Sequence, residues 1–240
     1  MKLRFLAKAE KAKGVWEFTF APEQPVHYIA GQYARFSFPF AIADPRGKQY
    51  RTFTLTSHPS ENEIRFLARL EPPLSAFKTL LSTLTVGDAM HIDEPMGDAV
   101  LPRSSQTPLV FVAQGIALAS YLSILHERER CARSDLAHVR ERSDLSHSSH
   151  GEIVLVWVRR GEDDRLESLI PGKIPHLRRI DIHYPLHATT EVILPMLSKD
   201  SLVYLSGSQV FVETLGAELE AAGVPRARLM YDYYSGYADL

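Results

Sequence analysis

The chain of 240 residues contains a single cysteine, Cys131. One thiol excludes an internal disulfide, an iron–sulfur cluster held by this chain alone, and a cysteine-based zinc site. An excess of charge is also missing: 27 Lys and Arg stand against 29 Asp and Glu, for a formal net charge of −2. Nothing in that balance calls for nucleic acid or an anionic membrane surface as a partner. No apolar run approaches the roughly 20 residues of a membrane helix, so no membrane insertion is expected. The opening MKLRFLAKAEKAKG lacks the apolar core of a secretory signal, and a cytoplasmic setting is the default expectation. Of the ten histidines, His126, His138, His147, His150 and His176 fall in or near polar segments without a compact ligand spacing. No metal site is expected from them. Glycine is scarce where it would matter most. The stretch AQGIALAS at 113–120 joins the apolar run PLVFV to a helical pattern, and Gly115 is its only glycine.

What is present comes in two styles. Up to about residue 104 the chain reads as β structure. KLRFLAKAEKAKGVWEFTFAP suggests two strands about a turn at Lys13-Gly14, and YARFSFPF alternates aromatic and polar residues as a half-buried strand does. KQYRTFTLTS, NEIRFLARL and VGDAMHIDEP continue the style. Between them, Leu74, Phe77, Leu80, Leu81 and Leu84 recur at helical spacing. Short strands with one helix predict a small antiparallel barrel over 1–104. From 105 to 240 the apolar runs PLVFVA, EIVLVWVR, IDIHYP and SLVYLSG alternate with helical stretches. Such runs are expected of strands buried on both faces of a parallel α/β sheet. Residues 127–150 fit neither style. They are polar, carry the imperfect repeat RSDLAH and RSDLSH, and read as an insertion, disordered or loosely helical, or as an arm for a partner.

Three motifs, in order, resemble the ferredoxin–NADP reductase superfamily. Arg51-Thr52-Phe53-Thr54, preceded by GQYARFSF, resembles the R-x-[YF]-[ST] signature of its flavin-binding barrel. EPPLSAFKTLLSTLTVGDAMHIDEPMGD resembles its short helix, V-G-D turn and G-P-[FY]-G segment. SLVYLSGSQVFVETLGAELEAAGVPRARLMYDYYSGY resembles the C-terminal half of its nucleotide domain. The resemblance implies a two-domain β plus α/β protein that binds FAD and takes hydride from NADPH or NADH. A separate acceptor would receive the electrons: ferredoxin, flavodoxin, a haem or iron protein, or a small molecule.

The chemistry of individual residues suits those roles. A fixed guanidinium at Arg51 offers paired donors to a diphosphate. Phe53, two residues on, shares its side of the strand and offers a ring to stack on a flavin. Thr54 presents a hydroxyl and an amide for the flavin edge. In Leu74-Ser75-Ala76, Ser75 stands at a helix start, where free amides and partial positive charge favour phosphate; a plain N-cap is the other reading. Gly97 keeps the glycine of the G-P-[FY]-G segment, although Glu94 and Met96 depart from it.

The nucleotide half departs further. Family members carry a sequence like A-G-G-x-G-[IL]-[TA]-P at the first strand end. Here Gln114 and Ala117 replace glycines around Gly115, and Ala119-Ser120 replaces Thr-Pro. Ser206-Gly207 stands where C-G is common beside the nicotinamide, so Ser206 with Thr54 is the expected catalytic pair. Arg159, beside Arg160, stands where the family places an arginine near the adenosine ribose; the pair favours NADP, with a solvated charge pair as the alternative. Tyr234, in the run Tyr233 to Tyr237, matches the aromatic that covers the flavin. A second reading keeps the fold as a flavin-binding or interaction module with a degenerate nicotinamide site.

Overall fold

Strands β1 (Lys2–Ala12) and β2 (Val15–Pro22) pair across a tight turn. Gly14 takes φ +69° there, a left-handed angle that costs other residues about 1 kcal/mol or more. In this computed structural model, residues 1–104, 106–139, 151–183 and 190–234 are described. Strands β3 (Tyr33–Ser37), β4 (Tyr50–Thr54), β5 (Ile64–Arg69) and β6 (Ala89–Ile92) complete an antiparallel sheet of order β4-β3-β6-β1-β2-β5. Beyond β4, Thr56 N–H donates to Arg65 O at 2.8 Å, which draws the two ends of the sheet together into a barrel.

Aromatic alternation fills that barrel. Phe18, Phe20, Phe36 and Phe66 are fully buried, and the rings of Phe18 and Phe20 stack on Phe66. Helix α1 (Ala76–Thr83) adds Phe77 and Leu81 to the same core, following its helical spacing. Truncating Phe66 to alanine would cost about 3–5 kcal/mol.

The second sheet is parallel, with order β11-β10-β7-β8-β9. Its strands are β7 (Leu109–Gln114), β8 (Ile153–Arg159), β9 (Leu177–His183), β10 (Leu202–Gly207) and β11 (Leu229–Tyr233). Helices α2 (Ala119–Val139), α3 (Thr190–Ile193) and α4 (Gln209–Ala221) connect them. Every residue of β8 is buried, as its unbroken apolar run requires. This is the expected β plus α/β architecture.

Several local expectations change. IDIHYP reads as a doubly buried strand, but β9 is the sheet edge, and of its residues only Ile182 is buried. RLESLI falls in a 3-10 segment, Gly161–Leu169, rather than an α-helix. TTEVILPMLS forms one α turn, α3, followed by a 3-10 turn at Leu194–Met196, because Pro195 lacks the N–H that an α-helix needs. Of the polar stretch from 127, residues up to Val139 continue α2, in keeping with the helical one of the two readings. Glu127 and Arg128 serve the fold there: Arg128 is buried, and Glu127 Oε2 meets His58 Nε2 of the barrel at 2.6 Å. The rest of that stretch, 140–150, lies outside the described residues.

Barrel and parallel sheet share one core. Ala12, Val15, Ala30 and Leu67 pack in the same cluster as Phe111, Leu122 and Trp157. Polar ties cross the same seam. Gly31 N–H donates to the buried Ser123 Oγ at 2.9 Å, and Arg69 pairs with Asp163 at 2.8 Å. Among the described residues no helix is long and apolar enough to cross a membrane, and no metal-binding cluster is found.

Candidate functional site

Strand β4 and the N-terminus of α1 define the barrel side of the site. Alternation places Arg51 and Phe53 on one side of β4, both beside Phe77 of α1. Phe53 lays one face on the buried Phe66, with centroids 4.2 Å apart and planes 11° apart. It remains half-buried, so its contribution to any ligand is a ring already braced from behind. Arg51 is held by Asp44 at 2.8 Å and by the carbonyl of Tyr50 at 2.9 Å. Ser75 caps α1 through Lys78 N–H at 3.4 Å, a long and therefore weak bond. Leu74 and Ala76 flank it, half-buried.

Around this helix start the cations are crowded. Burial, and then the charges of Arg51 and Arg69, push the Lys78 pKa below the usual lysine range, with Glu71 opposing. Lys78 thus feels the charges of Arg51 and Arg69, each already paired with a carboxylate, and a multiply charged anion beside the helix N-terminus would relieve its repulsion. Gly97 lies at the same end of the barrel. It takes φ +112°, and a Cβ there would meet the Tyr33 ring at 2.9 Å. Tyr33 is in register with Thr54.

Across the seam, sheet topology collects hydroxyls. Parallel register puts Ser206 of β10 beside Asp232 of β11 on one side and Ala113 of β7 on the other. Ser120, at the start of α2, comes from above the same strand ends. Ser120 Oγ lies 2.5 Å from Asp232 Oδ2, 2.9 Å from Ser206 Oγ and 3.1 Å from Tyr234 Oη. Ser206 Oγ donates to Asp232 Oδ2 at 2.8 Å. Thr54 Oγ1 of the barrel stands 3.3 Å from Tyr234 Oη. Each hydroxyl has one proton to give. If both serines donate to Asp232, Ser120 is free to accept from Tyr234, which accepts from Thr54. That assignment gives every hydroxyl an acceptor, leaves the Ser120–Ser206 contact without a proton, and runs a line of donors from the barrel to one carboxylate.

The 113–120 stretch forms the floor of the parallel half. Ile116 to Leu118 are buried within a 3-10 turn, Gly115–Leu118. Gly115 takes φ +56°, and its carbonyl accepts from Trp157 Nε1 at 3.0 Å. The Asp163 carboxylate lies close by, 3.4 Å from where a Gly115 Cβ would stand. Gln114 reaches across to α4, where its Oε1 accepts from Ser208 N at 3.1 Å and from Ser208 Oγ at 2.9 Å. Gly207, buried, lies beneath Gln114 and Phe211.

Arg159 sits apart from this cluster. Its guanidinium covers Trp157 at 4.8 Å and pairs with Asp164 at 3.1 Å, Glu167 at 3.5 Å and Asp181 at 3.4 Å. Arg179 pairs with Glu167 and Asp181 as well. Three carboxylates against two guanidinium groups leave this corner without the positive charge that sequence alone suggests.

Thr54, Ser206 and Tyr234 thus come together; Arg51, Phe53 and Ser75 form a neighbouring group; Arg159 joins neither. Ser235 to Tyr237 lie outside the described residues. Sequence reasoning missed Asp232, Lys78 and Arg69 as participants, and gave Ser120 no role beyond a replaced proline. For Asp232 a signal existed: an acid two residues before Tyr234, on the same side of a strand that ends at the cleft.

No protein-family profile matches the chain. Flavohemoprotein A of Dictyostelium discoideum is 24% identical over 240 residues, covering 95% of this chain and 58% of that protein. Among solved structures, flavohemoglobin from Malassezia yamatoensis with bound FAD and heme superposes at TM-score 0.74 with 20% identity, covering 98% of this chain and 60% of the other. A ferredoxin NADP+ reductase from Neisseria gonorrhoeae with bound FAD and NADP superposes at 0.71 with 16% identity, covering 97% and 98%. The chain therefore spans between half and three-fifths of the flavohemoproteins it matches, and nearly the whole of that reductase. The chain thus has the two-domain fold of the ferredoxin–NADP reductases and of the flavohemoglobin that it superposes on.

Proposed function

We propose that this chain is a flavin-dependent oxidoreductase that passes electrons from NADPH or NADH through FAD to a separate acceptor. In this reading residues 1–104 hold FAD, and residues 105–240 receive the nicotinamide dinucleotide. The observation that carries it is the meeting of Thr54 with Tyr234, Ser120, Ser206 and Asp232 where the barrel touches the carboxyl ends of β10 and β11. In open α/β sheets ligands bind at such strand ends.

FAD, when bound, supplies the redox chemistry, accepting a hydride and passing electrons on singly or in pairs. The residues of the chain bind, orient and shelter it. Arg51, Arg69, Lys78 and the first amides of α1 suit its diphosphate, with Leu74, Ser75 and Ala76 at that helix start. Phe53, braced by Phe66, supports the flat ring, while Gly97 allows close approach beside Tyr33. Thr54 and Tyr234 border the reacting edge. Ser206 and Ser120 hold their protons on Asp232, the one carboxylate in the line. Gly115 and Gly207 line the dinucleotide crevice. Arg159 organises the 161–169 segment through its carboxylates and leaves any phosphate to other residues.

The acceptor is a ferredoxin, a flavodoxin, a haem or iron protein, or a small molecule, and the setting is cytoplasmic. One specific feature, Gln114 in a glycine position, favours a second reading: a flavin module with a degenerate nicotinamide site.

The test is anaerobic mixing of the yellow, FAD-loaded chain with NADH and with NADPH. Bleaching of the visible flavin band within seconds is expected. A chain that dithionite bleaches but neither nucleotide does is the flavin module instead. A colourless chain that FAD cannot reconstitute defeats both readings.

A further inference from the structure

In the parallel sheet, the chain leaves β7 towards β8 on one side, whereas β10 lies on the other. The gap between the carboxyl ends of β7 and β10 is therefore the topological switch point, where an open α/β sheet has its ligand crevice. Gln114 ends β7 and Gly207 ends β10. The Gln114 side chain spans the gap. Its Oε1 takes both the N–H and the O–H of Ser208, the N-cap of α4. A Cβ placed on Gly207 would meet Gln114 Cβ at 2.9 Å and Phe211 Cδ1 at 2.8 Å, so the open face of that glycine is already covered. One of the amides that this helix N-terminus would offer an anion, Ser208 N–H, is thus engaged by a neutral side chain of the same molecule.

We propose that Gln114 is a latch across the dinucleotide crevice, closed in the resting chain, which a nicotinamide dinucleotide must displace before it binds. This inference rests on the reading of the chain as an NAD(P)H-dependent flavin reductase. The latch makes two hydrogen bonds and needs no backbone change to open. Gln114 has φ −105° and ψ 113°, an extended conformation that any residue adopts. Dinucleotide affinity is lowered by the fraction of molecules in which the latch is open, because only those are competent. If about a tenth of molecules are open, removing the latch tightens binding about tenfold. The closed latch therefore raises the concentration of dinucleotide that half-saturates the chain.

The experiment is calorimetric titration of the FAD-loaded chain and its Gln114→Gly and Gln114→Ala variants with NAD+ and with NADP+. These oxidised probes report binding without turnover. Retained flavin colour certifies folding of each variant, and either variant decides the question if the other fails to fold. Expected is a Kd about tenfold lower in the variants for the dinucleotide that the wild type prefers, with the concentration of reduced dinucleotide that half-saturates flavin bleaching falling in parallel. Gln114→Glu, which keeps the grip on Ser208 and adds a negative charge, is expected to raise Kd. Unchanged or weaker binding in Gln114→Gly and Gln114→Ala overturns the latch while leaving the reductase reading intact. No binding and no bleaching with either dinucleotide, in wild type and variants alike, overturns the reductase reading and the latch with it.

Discussion

Thr54 Oγ1 and Tyr234 Oη stand 3.3 Å apart although 180 residues separate them in the chain. Thr54 ends a barrel strand, and Tyr234 follows the last strand of the parallel sheet, held there by its N–H on Gly207 O. The pair ties the proposed flavin edge to the proposed nicotinamide edge. Tyr234→Phe removes the hydroxyl from both Thr54 and Ser120, and the expected loss of stability is about 1 kcal/mol in denaturant unfolding. The ring itself is the part expected to cover flavin. Tyr234→Ala should therefore raise the fluorescence of bound flavin, and Tyr234→Phe should leave it low. Equal fluorescence in both variants would remove Tyr234 from the flavin face.

Arg51 is expected to anchor the FAD diphosphate with Lys78 beside it. A hydrogen bond to a charged group contributes about 1.5–3 kcal/mol, which corresponds to roughly ten- to hundredfold in Kd. Arg51→Ala should weaken FAD retention by that factor in equilibrium dialysis. Lys78→Met should weaken it less, because the variant also ends the burial of the Lys78 charge and its repulsion by Arg51 and Arg69 in the FAD-free protein. Its apoprotein should then be the more stable one. Full flavin content in Arg51→Ala would refute the anchor.

Gly31 and Gly87 both hold φ near +100°, yet they differ in what surrounds them. A Cβ on Gly87 meets nothing within 4 Å, whereas one on Gly31 meets Ala99 O at 2.2 Å. Gly87→Ala should cost about 1 kcal/mol, the price of the angle alone. Gly31→Ala must move backbone at the seam and threatens the bond to Ser123, so a loss of about 3 kcal/mol or more is expected. Urea unfolding of the two variants side by side measures the difference.

What could be read in advance follows from the range of the interactions. Alternation in β1 to β3 and helical spacing in α1 are local, and so were legible. The order of three motifs carried the fold. The site was legible only as far as single positions such as Arg51, Thr54 and Ser206. Asp232 has only its position two residues before Tyr234 to mark it, and its partner Ser206 is set by parallel register alone. Gln114 reads as a damaged phosphate loop until Ser208, 94 residues away, is seen to hold it. Arg159 reads as a phosphate anchor until Asp164, Glu167 and Asp181 close around it. In each case the deciding partner is polar, and for Asp232 and Gln114 it is distant in sequence; hydrophobic pattern carries no information about it.

The Arg159 corner makes a separate prediction. Arg159→Gln strips a buried guanidinium from three carboxylates that are themselves open to water, so the loss is expected to be about 1 kcal/mol. The expected phenotype is lower stability, with the ratio of half-saturating NADH to NADPH unchanged within about threefold. A large shift of that ratio towards NADH would return Arg159 to the role of 2′-phosphate ligand.

High pH probes the core of the parallel half. Burial pushes Tyr204 up to about 12, against a smaller opposing effect of the Arg128 charge. Burial also raises the enclosed Tyr121, whose hydroxyl shares its one proton between the carbonyls of Val112 and Tyr204. In the unfolded chain a tyrosine ionises near its ordinary value of about 10. Between those values the folded state keeps a proton that the unfolded state has lost, so stability falls as pH rises. The contribution of Tyr204 is fully present below pH of about 10 and gone above about 12, on the order of 2–3 kcal/mol for two pKa units. Urea unfolding followed from pH 8 to pH 11 should show this decline. Tyr204→Phe, which forfeits the bond to Val100 O, should start from lower stability and decline less steeply. A variant that loses stability with pH as steeply as the wild type would show that the slope arises elsewhere.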